Sequence, residues 1–132
     1  MSKSPDQKHK AQLNLEGGVR FGPPFFRLEI DGKELRGRIF GEPLCWSDDS
    51  RYLAAQEWLT TDYQKGPITR VLLIDVEQGR VSEFKVVERG FVEDFRFRGR
   101  TFMYLKNFKG TGRGIESEVD MTDIHNWKEI CS

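Results

Sequence analysis

Histidine and cysteine are nearly missing from this chain. Its 132 residues hold two of each: His9 and His125, Cys45 and Cys131. Neither pair has the spacing of a metal-ligand or redox motif, so the sequence defines no metal centre and implies no cofactor. A hydrolytic triad would have to be assembled from His125, with Asp120 or Asp123 to orient it and Ser117 as nucleophile. No nucleophile elbow supports that assembly. No stretch approaches the roughly 18 apolar residues of a membrane span. The opening Met1–Lys10 is hydrophilic and lacks the apolar centre of a signal peptide. The reading is therefore a cytoplasmic protein with free thiols, Cys45 in the core, although spacing alone leaves a Cys45–Cys131 disulfide open. The 21 basic and 21 acidic residues cancel, so bulk charge points to neither nucleic acid nor membrane. Amphipathic segments of three helical turns are also lacking.

What the chain does have is phenylalanine, ten copies, and glycine, thirteen. Aromatics between glycine turns favour strands. With 37% hydrophobic and 32% charged residues, the composition suits one folded domain. Residues 1–10 read as a mobile tail and 11–132 as a single β domain. A first strand over 12–17 leads into the rigid aromatic turn Phe21-Gly-Pro-Pro-Phe-Phe26. Phe26–Ile30 alternates apolar and polar residues as a half-buried strand does. Asp31-Gly32 signals a tight hairpin, returned by Leu35–Phe40. Thr69–Val76 is continuously apolar at its centre, as in a strand covered on both faces. Val81–Val87 returns it. Phe91–Phe97 and Thr101–Phe108 form a hairpin about Arg98-Gly-Arg100, and Ile115–Met121 is the last strand. Thr122–Ile130 reads as one or two helical turns capped by Thr122, with Trp127 packed inward. The predicted fold is all-β: an antiparallel meander of hairpins in an open two-sheet arrangement, with a short C-terminal helical turn.

One segment carries a motif. Pro43-Leu-Cys-Trp-Ser-Asp-Asp-Ser-Arg-Tyr-Leu-Ala-Ala-Gln-Glu-Trp58 is two short strands about a polar turn, and it resembles the Trp-Ser-x-Asp-x-x-Tyr-Leu-Ala segment of β-propeller blades of the WD and TolB-like kinds. Without gaps, Trp46–Ala54 also lies over Phe95–Met103, aromatic on aromatic and turn on turn. The offset of 49 residues falls within the blade period of about 40–50. The resemblance implies blade-like repeats over 43–90 and 92–130. Two blades cannot close a ring, so it implies an incomplete propeller or a sandwich, with exposed strand edges that could pair with another chain or with copies of this one.

The remaining clues are charges. Asp48 and Asp49 could bind a divalent ion, but acids in a turn are accounted for by side-chain to backbone hydrogen bonds. Gly110-Thr-Gly-Arg-Gly114 lacks the Lys-Ser/Thr of a phosphate loop and precedes a strand. Residues 96–113 hold Arg96, Arg98, Arg100, Lys106, Lys109 and Arg113 with no acid, a candidate nucleic-acid contact. Against it, the interleaved Phe95 and Phe97 would face the core, and the RNA-recognition pattern is not met. Between Glu42 and Phe95, eleven acids stand against six bases, which could steer a basic protein partner. The expected function is a non-catalytic protein-binding module, in type similar to small bacterial immunity proteins that block a secreted toxin. Asp48, Asp49, Glu57, Trp58 and Asp62 form its expected contact face, with Trp58 as anchor. A nucleic-acid-binding domain and a small enzyme are the alternatives.

Overall fold

In a computed structural model, which describes residues 2–18 and 22–130, thirteen strands and two single 3-10 turns make up the regular structure. The strands are β1 (Ser2–Lys3), β2 (Lys10–Gly18), β3 (Pro24–Ile30), β4 (Lys33–Glu34), β5 (Ile39–Trp46), β6 (Tyr52–Trp58) and β7 (Ile68–Asp75), then β8 (Arg80–Glu83), β9 (Val87–Glu88), β10 (Gly90–Arg98), β11 (Thr101–Phe108), β12 (Arg113–Asp120) and β13 (Trp127–Glu129). The larger sheet has the order β1-β2-β3-β5-β6-β7-β8-β13, with β4 beside β3 and β9 beside β7; β10-β11-β12 form the smaller sheet. Every pairing is antiparallel. The expected open, two-sheet meander of hairpins is present, and neither sheet closes into a barrel. Cys131, and with it any pairing to Cys45, lies outside the described residues, as does Phe21 of the aromatic turn.

Alternation along β6 and β7 explains the layering. Leu53, Ala55, Leu72 and Ile74 point to one face, where the larger sheet curls far enough for Ala11 and Leu28 of β2 and β3 to share their core with Val81 of β8. Ala54, Val71 and Leu73 point to the other face, against Val92, Phe95, Phe102 and Tyr104 of the smaller sheet. Both strands are thus covered on both sides, which is why Val71–Ile74 contains no polar residue. Phe102 is the hub of the smaller sheet's aromatic cluster, with ring centroids 4.9 Å from Phe97, 5.7 Å from Tyr104 and 5.8 Å from Phe84. Burying each such side chain stabilises the fold by about 1.5–3 kcal/mol.

Polar bonds fix how the two sheets meet. Thr69 Oγ1 donates to Gly90 O (2.8 Å) and accepts from the Val92 amide (3.2 Å), both buried. Gln56 Nε2 donates to Val92 O (2.8 Å), while Gln56 Oε1 accepts from Trp58 Nε1 (2.7 Å). Gly41 of β5 lies directly beneath this amide: a Cβ there would overlap Gln56 Oε1 and Trp58 Nε1.

The N-terminal segment differs from expectation, and the C-terminal one differs in extent. Residues 2–10 do not run free as a tail: Ser2 and Lys3 pair with β2, Ser4 is buried, and the Asp6 amide donates to Ser50 Oγ (2.9 Å). His9 completes the docking by stacking on Trp46 (6.2 Å) and bonding Asp31 (2.7 Å). At the C-terminus the expected short helical turn is present as a single 3-10 turn, Met121–Asp123, capped by Asp120 rather than Thr122. The chain then extends as β13 and crosses to β8. Trp127 draws it there, stacked on Tyr52 (5.9 Å) with the Arg80 guanidinium over its ring (4.7 Å). Asn126 adds bonds to Ser82 (2.7 Å) and Glu83 O (2.9 Å).

The segments aligned as repeats differ in register. Trp46 pairs with Leu53 across a five-residue turn. Phe102, the counterpart of Leu53, pairs with Phe97 rather than Phe95, because the β10–β11 hairpin turns on Gly99-Arg100 alone. β5–β8 form a four-stranded run, whereas the second segment splits between the sheets when β13 leaves for β8.

Replacing Thr69 by Val keeps its shape and strands two buried backbone groups. The expected loss is about 2 kcal/mol, read from urea unfolding; Thr69→Ser, which keeps the hydroxyl, should lose less than half of that.

Candidate functional site

The end of β6 sends Glu57 and Trp58 to opposite faces. Trp58 is 5% exposed, lying between Phe25 (5.7 Å) and Phe91 (6.1 Å). It is a core residue and not the exposed anchor expected of it. Glu57, with a side chain 4% exposed, meets two arginines: Arg38 Nη1 at 2.8 Å and Arg70 Nε at 2.8 Å. Glu83 closes a ring by accepting from the same two arginines, at 2.8 Å and 2.9 Å, and takes Lys128 at 2.8 Å. A carboxylate at the position of Glu57 is stable only because both oxygens are saturated by charged donors. The ring lines a cleft of about 690 Å³ that Arg27, Arg36, Thr60 and Thr61 also line.

Asp48 and Asp49 lie at the other end of β6, about 20 Å away for a seven-residue strand. Asp49 serves its turn, accepting from Ser47 Oγ (2.5 Å) and the Arg51 amide (3.1 Å). Asp48 is exposed. Asp62 is exposed and accepts from the Gln64 amide (3.1 Å). The five residues expected to share one contact face are therefore divided between two ends of the strand and its interior.

The basic stretch is also divided. Cross-strand rows Arg96–Met103–Glu118 and Arg98–Thr101–Asp120 set arginines and acids on one face of the smaller sheet. Arg96 bonds Glu116 at 2.6 Å. Lys106, opposite Ile115, belongs to the other face and lies over the Tyr104 ring (5.9 Å). Arg113 pairs with Phe108 on that face, Arg100 sits in the hairpin turn, and the Lys109 amide donates to Arg89 O (2.9 Å). These six cations do not form one surface.

The smaller sheet ends in an open edge at β12. The Met121 amide donates to Arg100 O (2.7 Å), marking that pair as hydrogen-bonded. By the alternation of an antiparallel ladder, Ile115, Ser117 and Val119 bond inward to β11. The backbone groups of Gly114, Glu116 and Glu118 then point outward, and no strand among the described residues pairs with them. Glu116 and Glu118 are exposed, so this eight-residue edge is acidic.

Sequence reasoning missed the ring and had one usable signal for it. Glu57 and Arg70 are charges in strands that are apolar over most of their length, where a charge survives only with a partner. A further charge of this kind, Asp75 of β7, is fully buried and is held by Arg51 (3.0 Å), Arg80 (3.0 Å) and the Gln78 amide (3.1 Å). Burial pushes the Asp75 and Glu83 carboxyls up, but their charged hydrogen-bond donors outweigh it, and both end below their ordinary values. Among the described residues no group of three or more His, Cys, Asp or Glu side chains could hold a metal ion, and no helix is long and apolar enough to cross a membrane. Comparison with protein-family models, curated proteins and solved structures returned no match.

Glu57→Gln should destabilise the protein by about 3 kcal/mol by leaving Arg38 and Arg70 half-paired, measured by chemical denaturation. A group whose carboxyl is depressed in the folded state stabilises it above the unfolded-state value and ceases to do so as pH falls. The stability gap between wild type and Asp75→Asn should therefore be constant near neutrality. It should close as pH drops below the ordinary aspartate value of 3.8, followed by urea titrations at successive pH values.

Proposed function

We propose that the chain is a non-catalytic protein-binding module that takes an extended, basic segment of another protein along β12. The open acidic edge carries this reading. Eight residues of regular strand offer outward backbone groups at Gly114, Glu116 and Glu118, the requirement for strand addition. The side chains of Glu116, Glu118 and Asp120 share one face, so a partner strand with Lys or Arg at alternate positions would meet an acid at each. A second copy of β12 would instead set acid against acid, which disfavours self-pairing. The other long edge strands are less suited: β2 has a bulge between Leu15 and Gly17 and is partly covered by β1, and β10 has a bulge between Glu93 and Arg96 and gives backbone groups of Gly90 and Val92 to Thr69 and Gln56.

Within this class we place the role of an immunity protein, blocking a cognate toxin in the cytoplasm. An acidic edge complements the basic surface with which a nucleic-acid-degrading toxin holds phosphates. The contact face shifts from the Asp48–Asp62 region to β12, since Glu57 and Trp58 are buried and committed to internal bonds.

The test uses a synthetic alternating Lys-Val octapeptide. It should bind with an affinity that falls with salt, and slow hydrogen exchange at the Gly114, Glu116 and Glu118 amides. Glu118→Pro removes one outward N–H without touching the β11 ladder and should weaken binding about tenfold. Unchanged binding in Glu118→Pro, or equal loss in Asp48→Lys, would overturn the edge as the site.

A further inference from the structure

The cleft beside the Glu57 ring holds more positive charge than the fold uses. Arg27, Arg36, Arg38 and Arg70 line it, against Glu57 and Glu83. Arg38 reaches both acids through Nη1 alone, and Arg70 uses Nε and Nη2. The Nε and Nη2 of Arg38 and the Nη1 of Arg70 carry no bond among the described residues. None of them is a buried atom left without a partner, and the Arg38 and Arg70 side chains are each 19% exposed. Arg27 contributes only long contacts, 3.3 Å to Arg38 O and 3.4 Å to Glu16. Arg36 is exposed and makes no ion pair among the described residues. It stands beside Gly37, whose φ of +75° turns the chain at the rim.

Guanidinium groups present paired N–H donors at the spacing of two oxygens of a phosphate or carboxylate. Glu57 and Glu83 hold the Arg38 and Arg70 planes in place, so an arriving anion meets donors already oriented. We infer that this cleft binds a small ligand through an oxyanion group, phosphate or carboxylate, with Arg38 and Arg70 as its fixed base and Arg36 and Arg27 closing over it. The Thr60 and Thr61 side chains line the same cleft and add hydroxyls at its rim. The site is built from the larger sheet and is independent of the β12 edge.

Pyrophosphate and citrate serve as probes, titrated calorimetrically into the full chain at constant ionic strength. Wild type should bind at least one with a single site: pyrophosphate alone assigns a phosphate ligand, citrate alone a carboxylate, and both a site that reads oxyanion charge. Arg36→Glu, at an exposed position outside the ring, should weaken binding at least tenfold. Lys33→Glu makes the same change of net charge outside the cleft and should leave binding unaltered. Failure of both probes to bind wild type, or equal weakening by Arg36→Glu and Lys33→Glu, would overturn the inference.

Discussion

The β6–β7 pair is the constraint on which the rest of the molecule rests. Its seven registered residue pairs run from Tyr52/Asp75 to Trp58/Thr69 and are covered on both faces. A strand pair enclosed in this way must present apolar side chains to both sides. Each polar group placed on it must be fully satisfied where it stands. The main buried polar contacts of β6 and β7 follow from those two conditions. Thr69 and Gln56 satisfy the second by bonding the backbone of β10, and so lock the smaller sheet at one angle and height. Glu57 and Arg70 satisfy it by pairing with each other and drawing in Arg38 and Glu83. Asp75 satisfies it with Arg51 and Arg80, whose guanidiniums then cover Tyr52 and Trp127 and bring β13 across to β8.

This division of labour separates two kinds of surface. The larger sheet carries two networks of paired charge, and the one built on Glu57 and Glu83 holds Arg38 and Arg70 in a cleft. The smaller sheet, attached by hydrophobic packing and a few buried hydrogen bonds, leaves one strand with its backbone unmatched. A rigid cationic cleft suits a compact anion, and an unmatched acidic strand suits an extended basic chain. The two proposed sites therefore call for different ligands and do not compete.

Much of the fold was legible. The Asp31-Gly32 turn, the apolar run at Val71–Ile74 and the Arg98–Arg100 turn all stand where local chemistry put them, because turn geometry and side-chain alternation are properties of a few adjacent residues; the strand returning from Asp31-Gly32 is Lys33–Glu34 rather than the expected Leu35–Phe40. The contact face was less legible. Trp58 borders a polar loop in the sequence, and that neighbourhood suggested exposure; Phe25 and Phe91, remote along the chain, enclose it. The basic stretch 96–113 looked uniform because its acids, Glu116, Glu118 and Asp120, arrive on the next strand. The C-terminal segment looked helical because its strand partner, β8, lies more than forty residues earlier.

Sequence alone determined the fold class, the turns, the doubly covered central strand and the scarcity of chemically reactive side chains, since each depends on composition or on neighbours within a few positions. Tertiary structure alone decided which charges pair, which aromatics are buried and which edge stays open. Those outcomes depend on residues brought together from distant parts of the chain. An isolated Glu57 or Arg70 carries no mark of its partner, and an edge strand carries no mark of being last in its sheet.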